Sequence, residues 1–240
     1  MSGHAFTLAD VALRALPSGA LHWPDAKLLC VSDLHLGKSE RLARRAGVLL
    51  PPYDTRATLA RLDSDLSLTG ARTVVCLGDS FDDLTAADAL EETDRLWLVR
   101  LMAGRSWVWI EGNHDPGPLD LGGSHRAELT LPPLTFRHIA VPGPEPVAEP
   151  AADPATMAEV SGHYHPKARL AGLSRPCFLL DRRRLILPAY GSYTGGLDCG
   201  DAAFDALFGP GARAILTGAR AHVLPRPARG RDGISQGRAR

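Results

Sequence analysis

Apolar positions along the chain gather into short runs of strand length, separated by stretches of helical period. Residues 27–32, 73–77 and 106–110 are almost continuously apolar, the pattern of strands covered on both faces. Between the first two, Leu59, Leu62 and Leu66 recur at helical spacing behind Asp54, a good capping residue, and Gly70 supplies the stop. Residues 86–102 form a second predicted helix, with Leu90, Trp97, Leu98 and Leu101 facing a sheet and Gly104 ending it. Strands alternating with helices of this length predict parallel crossovers, and in such sheets ligands gather at the carboxyl ends of the strands.

Flanking segments read differently. Residues 6–16 mix apolar and polar positions, and Pro17-Ser18-Gly19 turns the chain into residues 20–23, which predicts a hairpin. Residues 38–45 are a short basic helix or loop that Pro51-Pro52 closes off. In the second half, residues 134–138 and 158–163 are short strands around a Pro-, Ala- and acid-rich surface loop at 142–156. Residues 177–180, 185–187 and 214–216 predict further strands, and Gly191-Ser192-Tyr193-Thr194-Gly195-Gly196 a tight turn. From Pro225 the chain turns Arg-, Gly- and Pro-rich without an apolar period, so a domain over 1–224 and a disordered tail over 225–240 are expected.

Composition narrows the classes. With 240 residues and 45% hydrophobic composition the chain can bury a full core in one domain. Its 27 basic and 27 acidic residues cancel, so no global field draws it to nucleic acid or a membrane, and a polyanion must be held locally. Four cysteines lack C-x-x-C spacing, and Cys30 and Cys76 fall in buried runs, which predicts a reduced, cytoplasmic setting. No apolar run reaches membrane-spanning length, and residues 1–10 lack the pattern of a leader.

Chemistry enters where three apolar runs end. Ser32-Asp33-Leu34-His35 follows the first, Gly78-Asp79 the second, and Gly112-Asn113-His114-Asp115 the third. Amides, imidazoles and carboxylates at buried strand ends need partners, so these residues are suited to reactivity better than to packing. With His138, His163 and His165 they place five of nine histidines in one set. Oxygen and imidazole donors without thiolate suit Mn, Fe or Zn, and so many donors exceed the needs of one ion. Each residue alone has a plainer reading: Asp33 as a turn cap, Asp79 and Asn113 as loop formers, His163 and His165 as a solvated pair. His138 stands alone in its segment, and His125 and His22 are its alternatives.

The ordered set D-x-H at Asp33, G-D at Gly78, G-N-H-D at Gly112, a lone His138 and G-H-x-H at Gly162 resembles the calcineurin-like metallophosphoesterases. The texture around it, Asp33-Leu34-His35-Leu36-Gly37-Lys38, Gly162-His163-Tyr164-His165-Pro166 and Ala189 to Gly196, is similar to the bacterial ligase-associated DNA damage response endonuclease branch, PdeM. The resemblance implies a single-domain α/β sandwich of two mixed β-sheets flanked by helices, with a metal site at the C-terminal ends of strands. It implies two divalent ions, Mn first and Fe or Zn as alternatives. Asp33, His35, Asp79 and His165 would hold one, and Asp79, Asn113, His138 and His163 the other. A hydroxide between the ions would attack phosphorus in line, His114 would protonate the leaving oxygen, and Asp115 would orient the His114 ring. One departure stands out: Asp82 fits the pattern after Asp79, but Leu84 replaces a glycine, which bears on loop shape more than on metal binding.

The expected activity is phosphodiester hydrolysis, with DNA as substrate, in a repair setting with a DNA ligase and other repair enzymes. Lys38, Arg41 and Arg45 are candidate phosphate contacts beside the site. Two competitors remain: a small-molecule phosphoesterase acting on cyclic or modified nucleotides, and a scaffold without catalysis.

Overall fold

The computed structural model describes residues 3–38, 54–82, 90–117, 121–142, 157–192, 194–209 and 211–227. Two sheets lie face to face. The first holds seven strands in sequence order: β1 (His4–Leu8), β2 (Val11–Ala15), β3 (Leu21–Trp23), β4 (Leu28–Val31), β5 (Thr73–Leu77), β6 (Ser106–Ile110) and β7 (Ser124–Arg126). β1 to β4 pair antiparallel, and β4 to β7 pair parallel. The expected hairpin over residues 6–23 is therefore two successive hairpins. The first turns at Ala9 and Asp10, both in the left-handed region (φ 47° and 62°), a turn that normally advertises itself with Asn or Gly.

The crossover helices match expectation. Helix α1 (Asp54–Thr69) links β4 to β5, and α2 (Glu92–Met102) precedes β6; the start of the second predicted helix, 86–89, falls outside the described residues. Alternation along each strand sorts the side chains. Val74 and Cys76 of β5 face Leu59, Leu62 and Leu66 of α1 and Leu98 and Leu101 of α2. Val75 and Leu77 face the other way, into the core between the sheets with Val108, Ile110, Phe136, Val160 and Phe178. Both faces of β4, β5 and β6 are thus covered, which explains why they read as continuous apolar runs.

The second sheet comprises β8 (Glu128–Leu131), β9 (Leu134–Arg137), β10 (Ala158–Ser161), β12 (Leu173–Leu180), β13 (Arg184–Ile186), β14 (Arg213–Leu216) and β15 (His222–Pro225), with β11 (Lys167–Leu170) paired to β12. β9, β10 and β13 run parallel; the other pairs are antiparallel. The architecture is the expected α/β sandwich of two mixed sheets. β15 extends through Pro225, and the Arg226 guanidinium donates to the carbonyls of Cys199 (2.8 Å) and Asp201 (3.2 Å) and to Asp205, so these first residues of the expected tail are held by the fold. The rest of that tail, from 228, lies outside the described residues, as do most of the 142–156 loop and Leu84. Among the described residues, no helix is long and apolar enough to cross a membrane.

Candidate metal centre

The polar residues at the ends of β4, β5 and β6 meet those at the ends of β9 and β10, so both sheets contribute to one site. Backbone bonds sew the loops together: His35 N–H donates to the Asp79 carbonyl (2.9 Å), and Gly162 N–H to the His138 carbonyl (2.9 Å). Asp33, His35, Asp79, His163 and His165 all have left-handed backbone, with φ between 45° and 68°. Such conformations in non-glycine residues cost energy and collect at functional sites.

Donor atoms fall into two sets. Asp33, His35 and His165 each offer an atom within 4.8 Å of the others, and so do Asp79, His138 and His163. In the first set, Asp33 Oδ1 and His165 Nε2 lie 3.1 Å apart, buried and without hydrogen-bond geometry to any neighbour. Asp33 Oδ2 accepts from the Ser32 hydroxyl and from His163 N–H (3.0 Å), which joins this set to the second. Burial opposes ionisation of Asp33, but the neighbouring His165 and His138 and the Ser32 hydroxyl outweigh it and hold the carboxyl below its usual range.

In the second set, the His138 ring is fixed by its Nδ1–H, which donates to the Leu77 carbonyl at 2.7 Å. Its Nε2 therefore faces inward, 3.4 Å from Asp79 Oδ2, 3.0 Å from Asn113 Oδ1 and 3.2 Å from His163 Nδ1. Two oxygens and a second imidazole nitrogen gathered around one ring nitrogen are best satisfied by a positive charge among them. The protein alone meets that need by protonation: although burial resists it, the hydrogen bond to Asp79 and the charges of Asp33 and Asp79 raise the His138 pKa. Asp79 falls to about 2, because its His138 and His114 contacts outweigh its burial. Burial and the nearby His138 keep His163 neutral, the form that binds a cation. Orphaned acceptors in one set and convergent lone pairs in the other both fit divalent metal.

His114 is the open member, with 37% of its side chain exposed. Its Nδ1 meets the Asp82 carbonyl at 2.9 Å, which leaves Nε2 toward the mouth, 4.0 Å from Asp79 Oδ2. Asp115 does not orient this ring as expected. Its Oδ2 accepts from Ser80 N–H (2.8 Å) and Phe81 N–H (3.1 Å), so it braces the loop after β5, and burial raises its pKa to about 6. The orienting part falls to Asp82, which the sequence marks as fitting the pattern after Asp79 but to which it assigns no role: its backbone holds His114, and its carboxylate lies 3.0 Å from His35 Nδ1. The three-residue step from Asp79 to Asp82 was the available signal. His138 rather than His125 or His22 enters the site; His125 stacks on Trp109. Lys38 is half-buried just past Gly37, while Arg41 and Arg45 lie outside the described residues.

The model of the calcineurin-like phosphoesterase family matches residues 26–170, which span every one of these donors. The chain belongs to that family. This phosphoesterase is also similar to a solved nuclease: the crystal structure of Pseudomonas putida nuclease MPE aligns with a TM-score of 0.73 and 29% sequence identity, covering 93% of this chain and 100% of that one. No curated protein matches the chain. The likeness to a nuclease accords with the PdeM-like texture of the sequence and supports a metal-dependent phosphoesterase of nuclease type.

Proposed function

We propose that this phosphoesterase is a two-metal endonuclease that cuts phosphodiester bonds in DNA, in the cytoplasm and in a repair setting alongside a DNA ligase. The observation that carries the metal reading is the crowd of acceptors around His138 Nε2. Asp33, His35, Asp79 and His165 would hold one ion, and Asp79, Asn113, His138 and His163 would hold the other. Mn is the first choice, with Fe or Zn as alternatives. When bound, such a pair lowers the pKa of water and neutralises phosphate oxygens.

The remaining steps belong to the chain's own groups. His114 Nε2 faces the mouth of the site; from the doubly protonated ring it gives its proton to the departing oxygen and is left neutral, while Nδ1 keeps its own proton in the bond to the Asp82 carbonyl that aims the ring. Asp115 braces the loop that carries Asp79 through its bonds to Ser80 and Phe81. A nucleic-acid strand is favoured over a small diester by the likeness to a nuclease, and DNA over RNA by the PdeM-like texture of the sequence, since the balanced charge of the chain does not by itself select a polymer.

The test is a panel of single-stranded DNA, duplex DNA, RNA and small nucleotide diesters, each assayed with Mn. DNA cleavage that weakens steeply with salt is expected, because a polyanion releases counterions on binding. Salt-insensitive activity confined to small diesters would replace the polymer with a small molecule. Metal binding with no turnover on any of them would leave a scaffold.

A further inference from the structure

The segment after β13 contributes none of the donors, yet it is tied to both loops of the Asp33, His35 and His165 set. Tyr190 N–H donates to the Ser32 carbonyl (2.7 Å), and Gly191 N–H to the Asp33 carbonyl (3.0 Å). Further on, Leu197 N–H donates to the Tyr164 carbonyl (3.3 Å) and its own carbonyl accepts from Lys167 N–H (2.8 Å). Close approach is obligatory at both ends: a Cβ on Gly191 would fall on the Leu34 carbonyl, and one on Gly196 on the His165 carbonyl. Tyr190 anchors the segment from below. Its ring is fully buried, and its hydroxyl donates to Asp65 of α1 at 2.8 Å.

Two cations are seated on this segment. The Arg61 guanidinium lies 4.8 Å from the centre of the Tyr190 ring and donates to Ser192 Oγ at 3.4 Å. Lys167 Nζ donates to the Thr194 carbonyl at 3.2 Å. Both residues are half-buried, and among the described residues neither sits within ion-pair distance of a carboxylate: Arg61 meets a ring and a hydroxyl, with Asp65 acting on it only through its field, and Lys167 meets a carbonyl. By contrast, Arg56 is spent on Glu91 and Asp94, and Arg100 on Asp63. A cation without a close ion pair keeps most of its charge for an anion, and a guanidinium already oriented by stacking loses less freedom on gripping phosphate.

We infer that Arg61 with Ser192, and Lys167, bind backbone phosphates beside the scissile one, making Tyr190 to Ser192 and Thr194 to Leu197 the track by which a nucleic-acid strand reaches the Asp33 side of the site. This rests on the reading of the substrate as a strand, since a lone diester has no neighbouring phosphate to bind. As sequence this stretch reads as a tight turn and as part of the PdeM-like texture, with no role of its own; its contacts with the ligand loops arise from tertiary packing.

Arg61→Gln, Lys167→Gln and Ser192→Ala test it, each assayed with Mn on a single-stranded oligonucleotide and on bis(4-nitrophenyl) phosphate, with metal content measured on the same preparations. For each charge removed, the ratio of kcat/KM on oligonucleotide to that on the small diester should fall roughly tenfold, the worth of one charge-assisted contact. The slope of log kcat/KM against log salt on the oligonucleotide should shrink by about 0.7 per charge. Ser192→Ala should move the ratio in the same direction by less. An unchanged ratio and slope in both charge variants, with metal retained, overturns the track. A wild-type protein that cleaves the small diester and no oligonucleotide overturns instead the strand reading beneath it.

Discussion

Asp33, His35, Asp79, His163 and His165 each hold a left-handed backbone that a non-glycine residue adopts at a cost of about 1 kcal/mol or more. That cost turns five side chains inward from two sheets. Three of the strand ends were legible in sequence because an apolar run cannot bury Asp, Asn and His without giving them work. Asp82 was not, because its service is rendered through a backbone carbonyl and through contact with a ring that sequence does not place. Substitution leaves the carbonyl in place and tests the carboxylate contact with His35: Asp82→Asn should cost roughly 10–100-fold in metal affinity or turnover, the usual scale for a group that orients a ligand. Titration with Mn followed by activity would show it, and unaltered titration would remove the role. His114→Ala should keep bound metal and lose roughly 10²–10⁴-fold in kcat, whereas Asp79→Asn should lose metal as well. Full activity of the first variant would remove His114 as the acid.

Protonation at the same residues sets a pH window for the metal-free protein. Asp79 is depressed to about 2, so its stabilising contribution is complete above the ordinary carboxylate range and is lost as pH falls toward 2. His138 is raised, so its contribution is complete below about 6.5, the ordinary imidazole value, and is lost as pH rises through its folded pKa. Chelator-treated protein should therefore gain most from this pair between about pH 4 and 6.5, which urea unfolding at a series of pH values would reveal. A contribution that rose steadily to pH 8 would contradict the pairing. A metal ion bound at His138 would take the proton's place, so binding should release protons near neutral pH and tighten as pH rises.

At the scale of elements, α1 and its strands were read correctly because their signals are strong: a leucine every three or four residues, a stop at Gly70, and fully buried strands on either side. β7, β8, β11 and β15 went unread. They are short, carry polar residues and sit at edges or in hairpins, where half-exposed positions blur the alternation. The first hairpin was hidden for another reason, since Ala9 and Asp10 adopt a turn conformation their identities do not announce. Packing makes its own prediction. Leu62 of α1 is fully buried against the first sheet, so Leu62→Ala should cost about 2–5 kcal/mol in denaturant unfolding while the folded protein keeps its metal. Loss of metal from the still-folded variant would mean that α1 shapes the site as well as covering the sheet.

For the whole molecule, balanced charge and a seven-strand sheet packed on a second sheet say little about what is cut; the strand ends say much more. Two half-sites, each drawing donors from both sheets and joined where His163 N–H donates to Asp33, tie the sandwich together at one end. Metal should accordingly raise stability by mass action, about 2.7 kcal/mol at a free concentration a hundred times Kd, and chelation should lower Tm. The most direct measurement is anomalous scattering from crystals grown with Mn, combined with elemental analysis of the same protein. Two peaks are predicted, one among Asp33, His35 and His165 and one among Asn113, His138 and His163, with Asp79 between them and two ions per chain. A single peak, or none with those side chains turned away from each other, would contradict a two-metal centre.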